Sequence, residues 1–416
     1  MLSSQSQTKE ARAPSLLRAL AVWGPGLLVM LADTDAGNVV TAADAGARFG
    51  YRLLALTLLL APALYLIQEL TLRLAIATGR GHAELIRERY GLPWAALAVA
   101  GLAVAAIGSL VTEFTGVAGV GEMFGAPRAL TLPLAALALL AIVGSGAYRR
   151  VERVALVIGL FELAFFVVAW KARPDFSVMA REAVSLPLRD GGFLLMVAAI
   201  VGATFNPWMV FYQQSAAVDK GLGADDLSHA RADTGLGAAL TQSLTGAVLI
   251  AAAAAFASHG APARLASVGD ISAALTPALG ATAGRVVFGA GVLGASLVAA
   301  IVASLALAWG VGEIFGMRRT LERHPFASRW FYAAYAAAVV GSALVVWAIP
   351  DLVALNVAAQ ALNAFLLPLV VGFLVALAAT MLPKPLALSR GRLRLVVAVS
   401  IVVSAVGIAA GIGALI

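Results

Sequence analysis

The sequence predicts an all-α polytopic membrane protein of about 11 transmembrane helices. It reads as two inverted repeats of five, with helices one and six broken, plus one extra C-terminal helix. Three observations predict this. Hydrophobic residues make up 61% of the 416-residue chain and charged residues only 12%, against roughly a quarter charged in an average soluble domain. The apolar residues fall in long continuous runs, and two of those runs, five spans apart, are interrupted by polar residues, glycine and proline.

A mean hydropathy of +0.93 leaves too little polar surface for a soluble fold of this size. That excludes a cytosolic enzyme, a disordered chain and a nucleic-acid binder. The net charge of +7 reads as basic cytoplasmic loops, not as a nucleic-acid surface. With no cysteine there is no disulfide framework, thiolate metal site or thiol catalysis.

A helix needs about 20 apolar residues to cross the hydrocarbon core, and backbone polar groups in lipid must be satisfied within the segment. Candidate spans lie near 19–45, 52–78, 94–124, 130–148, 151–170, 191–217, 234–257, 284–316, 331–349, 351–380 and 394–415. Strands of a barrel would need alternation, which these runs lack. Four regions follow: a cytoplasmic tail over 1–18, a first repeat over 19–170, a second over 191–380, and the additional helix over 394–416. The polar opening, MLSSQSQTKEARAPS, reads as a tail before a retained span, not a cleaved signal peptide. With the N-terminus inside, 19 Lys and Arg fall on the cytoplasmic side and 9 outside. That bias predicts an outside C-terminus and a plasma membrane of bacterial inner-membrane type.

Span one carries Asp33, Asp35, Asn38 and Asp44 among Gly24, Pro25, Gly26 and Gly37. Intramembrane polar residues are functional candidates by default. Two carboxylates two residues apart beside a glycine suit a helix that unwinds at mid-membrane, where side chains and freed carbonyls can coordinate a cation. In span two, Glu69 and Arg73 stand at i and i+4, a surface ion pair or a gate. Span three holds Glu113 and Glu122, with glycines at 116–125 that let spans approach. Glu162 in span five is either structural or lines the inner path.

Span six reads Gly202-Ala203-Thr204-Phe205-Asn206-Pro207-Trp208. Pro207 removes a backbone donor, and the residue before proline avoids the α region. The break exposes the Ala203 carbonyl and the Asn206 amide. Interrupted helices in corresponding halves point to an inverted-repeat carrier with its site at the repeat interface. The charged stretch 219–233 reads as a solvated face. The glycines at 310–316 follow no strand and read as helix packing. His82, His229, His259 and His324 have no metal-ligand spacing.

At these residues the chain resembles the Nramp family of divalent-metal transporters. Asp35-Ala36-Gly37-Asn38 stands at the family's first-span Asp-Pro-Gly-Asn, and Gly202 to Trp208 at its sixth-span Gly-Ala-Thr-x-Met-Pro-His. The stretches 68–91, 149–159 and 357–369 extend the likeness. The resemblance implies a metal site of Asp35, Asn38, the Ala203 carbonyl, the residue at Asn206, and Gln360. Two departures matter. Asn206 replaces the family's sulfur ligand, and oxygen-only sites suit Mg²⁺ and Mn²⁺ over softer ions. Trp208 replaces a histidine, and Gly119 stands where coupled members carry an aspartate, so the proton relay is incomplete unless Asp33 and Glu113 supply another route. Both departures are similar to the Nramp-related magnesium transporter branch.

The resemblance thus implies a non-enzymatic carrier in the lipid bilayer, without a cofactor, whose substrate is Mg²⁺ or Mn²⁺. Asp33, Glu113 and Trp208 are candidate pathway or gating residues. The alternatives are a proton-coupled Mn²⁺/Fe²⁺ carrier, an amino-acid carrier and a channel. Asp35 would repel a substrate carboxylate, and unpaired broken helices in one chain suit a channel poorly.

Overall fold

The computed structural model describes residues 22–144, 148–257, 268–275, 280–316, 329–348 and 352–414. The expected tail, His259, His324 and most of the 258–283 connection lie outside the described residues. Within them the chain is helical, without strands.

The first span is two half-helices, α1 (Pro25–Asp33) and α2 (Ala36–Phe49). Then come α3 (Leu54–Thr78), the short α4 (His82–Tyr90), α5 (Leu92–Met123) and α6 (Arg128–Gly144). The fifth span is α7 (Tyr148–Gly159) and α8 (Ala164–Lys171), joined by a 3-10 turn over Leu160–Leu163, where a plain helix is expected. After α9 (Phe176–Glu182), the sixth span is again halved, into α10 (Gly191–Thr204) and α11 (Pro207–Asp219). There follow α12 (Leu227–Ala257), α13 (Val268–Leu275), α14 (Ala281–Ile314), α15 (Arg329–Ala348), α16 (Leu352–Met381) and α17 (Arg390–Gly413). Nine segments among the described residues are long and apolar enough to cross a membrane. The halved first span and the 17-residue α6 occupy the other two predicted positions.

Local chemistry explains both breaks. Asp35 is extended (φ −66°, ψ 170°) and caps α2, its carboxylate accepting the Asn38 amide at 2.5 Å. Aspartate is among the preferred N-caps because its short side chain reaches the free amides of the first turn. Asn206 is likewise extended (φ −61°, ψ 126°), as the residue before a proline must be, and Pro207 opens α11.

Around these halves, α12 packs on α1, α2 and α3, α14 on α5 and α11, and α16 on α10, α17 and α5. Gly202 is where α10 meets α16. A Cβ there would run into the carbonyl oxygen of Gln360, so close approach of the two helices requires glycine at this position.

Candidate metal centre

The two breaks meet inside the bundle, and a ring of side chains closes between them. Gln360 Nε2 donates to Asp35 Oδ1 at 3.2 Å and lies 3.4 Å from Oδ2. Asn363 Nδ2 donates to Gln360 Oε1 at 3.1 Å and to Asn206 Oδ1 at 2.5 Å. Asn206 Nδ2 donates to the Ala203 carbonyl at 2.9 Å and to Asp33 Oδ1 at 3.3 Å. Asn38 folds back across the first break and donates to the carbonyl of Asp33 at 2.9 Å. Gly37 leaves room for the Gln360 amide, which a Cβ would strike.

All of these residues are buried. In the ring, amide N–H groups point at the oxygens a cation would take. Rotating the amides of Asn206 and Gln360, with Asn363 turning its own oxygen toward them, would free their oxygens for a cation and give a donor set of carboxylate, amide and carbonyl oxygens. Among the described residues no three His, Cys, Asp or Glu side chains gather in metal-binding geometry. A centre here therefore depends on neutral oxygens beside the carboxylates.

The structure brings together Asp35, Asn38, Ala203, Asn206 and Gln360, and adds Asp33 through Asn206. Glu113 stands at the edge, its Oε2 accepting the Ala36 amide at 3.0 Å and its Oε1 the Thr112 hydroxyl at 3.1 Å. Trp208 stands apart, fully buried, its Nε1 donating to Ser109 Oγ at 2.7 Å. Glu122 lies at the surface with Arg128. Asn363 escaped the sequence reading. Its signal was there: Asn356, Gln360 and Asn363 fall at i, i+4 and i+7, a polar stripe on an apolar helix.

The end of the bundle at which α1 begins is closed by charged clusters. Glu69 is 1% exposed, and its carboxylate meets Arg73 at 2.6 Å, Arg231 at 2.9 Å and Arg392 at 3.1 Å. The pair expected on a helix surface is thus buried, because α12 and α17 bring two more arginines over it. The stretch 219–233 is a solvated face only in part: Gly221, Ala224, Asp225, Ser228 and Ala232 are exposed, whereas Lys220, Arg231 and Asp233 turn inward. Lys220 pairs with Glu152 at 2.9 Å and donates to the Trp23 carbonyl at 2.6 Å. Asp233 accepts the amides of Gly24 and Gly26 at 3.2 and 2.8 Å, fixing the start of α1. His82, between spans two and three, is buried against Phe211 with its Nδ1 3.1 Å from Gln214 Oε1. Burial pulls its imidazole down to about 4, with the Gln214 contact acting against this.

Comparison with known proteins follows the same lines. The sequence pattern of the natural resistance-associated macrophage protein-like family matches residues 26–412. The chain belongs to the Nramp family. A divalent metal cation transporter MntH of Yersinia pestis is 31% identical over 309 residues, covering 71% of this Nramp chain and 73% of the relative. The MntH of Agrobacterium fabrum is 28% identical over 306 residues, covering 71% of this chain and 66% of the relative. The crystal structure of the Eremococcus coleocola manganese transporter superposes with a TM-score of 0.77 at 17% identity, over 97% of this chain and 89% of that one. MhsT bound to L-phenylalanine superposes at 0.59 with 16% identity, over 98% of this chain and all of that one. One architecture therefore houses different ligands, and the site must decide the substrate.

Proposed function

We propose that this member of a divalent-metal transporter family carries hard divalent cations, Mg²⁺ and Mn²⁺, by alternating access between its two repeats. The MntH relatives support divalent metal transport. Asn206 carries the finer reading. It stands at the sixth-span break with its amide between Ala203, Asp33 and Asn363, where a thioether would favour later transition metals. Mg²⁺ dehydrates reluctantly and keeps several waters, so a few neutral oxygens around one or two carboxylates suit it. In this reading Asp35, Asn38, Ala203, Asn206 and Gln360 hold the ion. The repeats over 19–170 and 191–380 rock about it in a plasma membrane with the N-terminus cytoplasmic, as the basic-residue bias supports.

Trp208 cannot titrate and Glu122 lies at the surface, so transport without proton coupling is the leading reading. A proton-coupled Mn²⁺/Fe²⁺ carrier is the second, favoured by the buried carboxylates of Asp33 and Glu113 beside the ring. Proteoliposomes with an entrapped Mg²⁺ indicator, a Mn²⁺ quench and a pH dye separate the two. Saturable Mg²⁺ entry without acidification, abolished by Asp35→Ala, is the expected outcome. Mn²⁺ entry with acidification and no Mg²⁺ signal would return the protein to the coupled class.

A further inference from the structure

Four carboxylates gather around the first break, and one of them has no part in the ring or its Ala36 contact. Glu162 projects from the 3-10 turn that interrupts the fifth span, and it is fully buried. A short 3-10 stretch inside a helix often marks a functional position. Neither Glu162 oxygen has a well-formed hydrogen-bond partner, Thr34 being the one polar side chain against it, and Asp33 Oδ2 is also unpartnered. The Thr34 hydroxyl also lies 2.6 Å from Thr241 Oγ1, so Glu162 shares its one polar neighbour with α12. Gly159 seats the turn against α1: a Cβ there would lie 2.9 Å from Leu31 and 3.6 Å from Glu162 Oε1.

The charged groups whose field reaches Glu162 are Asp35 and Asp33, both acidic. The turn packs on α7, α8 and α14. Their charged residues sit toward the helix ends: Arg149, Arg150, Glu152 and Arg153 on α7, Lys171 on α8, Arg285 and Glu313 on α14. Among the described residues no Lys, Arg or His pairs with Asp33, Asp35, Glu113 or Glu162. A carboxylate in such a place is stable only when a positive charge is supplied from outside the protein. A leucine would fill the turn without that requirement.

We propose that Glu162, with Thr34 beside it, holds a monovalent cation, a proton or Na⁺, at a position separate from the divalent-ion position at Asp35. The second half of this statement rests on the proposed divalent site. Positive charges held by the same group of buried carboxylates oppose each other, so occupancy at Glu162 weakens divalent binding, and divalent binding weakens occupancy at Glu162 by the same factor.

The test uses the purified full-length protein without divalent ions. The thermal midpoint is followed against NaCl at fixed pH, then against pH in choline chloride, for wild type, Glu162→Gln and Glu162→Asp. For a Na⁺ site the wild-type midpoint rises with Na⁺, Glu162→Gln is flat, and Glu162→Asp responds at a shifted half-saturating concentration. For a proton site the response appears instead as a wild-type-minus-Gln difference in the pH series. Identical Na⁺ and pH dependence in wild type and Glu162→Gln overturns the proposal. In proteoliposomes the half-saturating Mg²⁺ concentration of wild type should rise about tenfold as the monovalent ion saturates, meeting the constant value of Glu162→Gln. Asp35→Ala keeps the monovalent response while losing Mg²⁺ uptake, and loss of that response there would overturn the separation of the two positions. Mg²⁺ uptake surviving Asp35→Ala would defeat the divalent-site reading alone.

Discussion

The backbone amide of Ala36 donates to Glu113 Oε2 at 3.0 Å, so the first residue of α2 is held by a carboxylate from the third span. Ala36 follows the Asp35 cap directly, and the bond therefore fixes where the second half-helix starts. Glu113→Gln keeps an oxygen acceptor and should fold with nearly the wild-type thermal midpoint. Glu113→Leu leaves the buried amide unsatisfied and should lose about 1–3 kcal/mol, with Mg²⁺ uptake falling further than in the Gln variant. Equal midpoints for the two variants would show that Glu113 does not hold the break.

Asn206→Met should raise Cd²⁺ uptake and lower Mg²⁺ uptake, each by about tenfold, which is about 1.4 kcal/mol. The thioether supplies a soft ligand and removes the amide that now donates to Asp33 and Ala203. Parallel Cd²⁺ and Mg²⁺ flux assays in proteoliposomes check this. Unchanged Cd²⁺ flux in a folded variant would remove Asn206 from the ligand set.

Both breaks were legible in the sequence because their causes are local. An aspartate that caps a helix and an asparagine forced extended by the next proline act over three or four residues. Asn363 was not legible as a partner of Asn206, because their contact joins residues 157 apart in the chain. The turn carrying Glu162 looked like continuous helix, since its Leu-Phe-Glu-Leu composition fits either geometry. Lys220, Arg231 and Asp233 looked solvated for a related reason. A charged run gives no sign that Glu152, Glu69 and the start of α1 will fold over it.

Glu69 ties α3 to α12 and α17 through Arg231 and Arg392 and also pairs with Arg73 of its own helix, so its removal should weaken that end of the bundle. Arg73 is 8% exposed at its side chain, whereas Arg231 and Arg392 are 30% and 27% exposed and can turn to water. Glu69→Gln leaves Arg73 buried without a counter-charge and should lose about 3–5 kcal/mol. Arg392→Gln removes one half-exposed partner and should lose less than about 1 kcal/mol. Thermal midpoints of the two variants in detergent decide this. Equal losses would mean that the cluster is not organised around Glu69.

His82 makes acid stability the last test, and the sign follows from its surroundings. Gln214 Nε2 donates to the Arg80 carbonyl at 2.9 Å, so Gln214 Oε1 is the acceptor and His82 Nδ1 carries the proton. The other ring nitrogen has no partner. A second proton would place an uncompensated charge against Phe211, which is why burial lowers the imidazole from an ordinary 6.5 to about 4. The folded state thus binds this proton less readily than the unfolded chain. The stability gained from a neutral His82 is complete above about pH 6.5 and is lost as the pH falls toward about 4. The full loss amounts to about 3 kcal/mol. Thermal midpoints of wild type and His82→Gln should diverge over that window, wild type falling faster. A constant difference from neutral pH to pH 4 would show that His82 takes up its proton equally in both states. Because His82 opens α4 beside the Glu313 and Arg80 contacts, the same acid step should loosen the closed end of the bundle before it unfolds the ring.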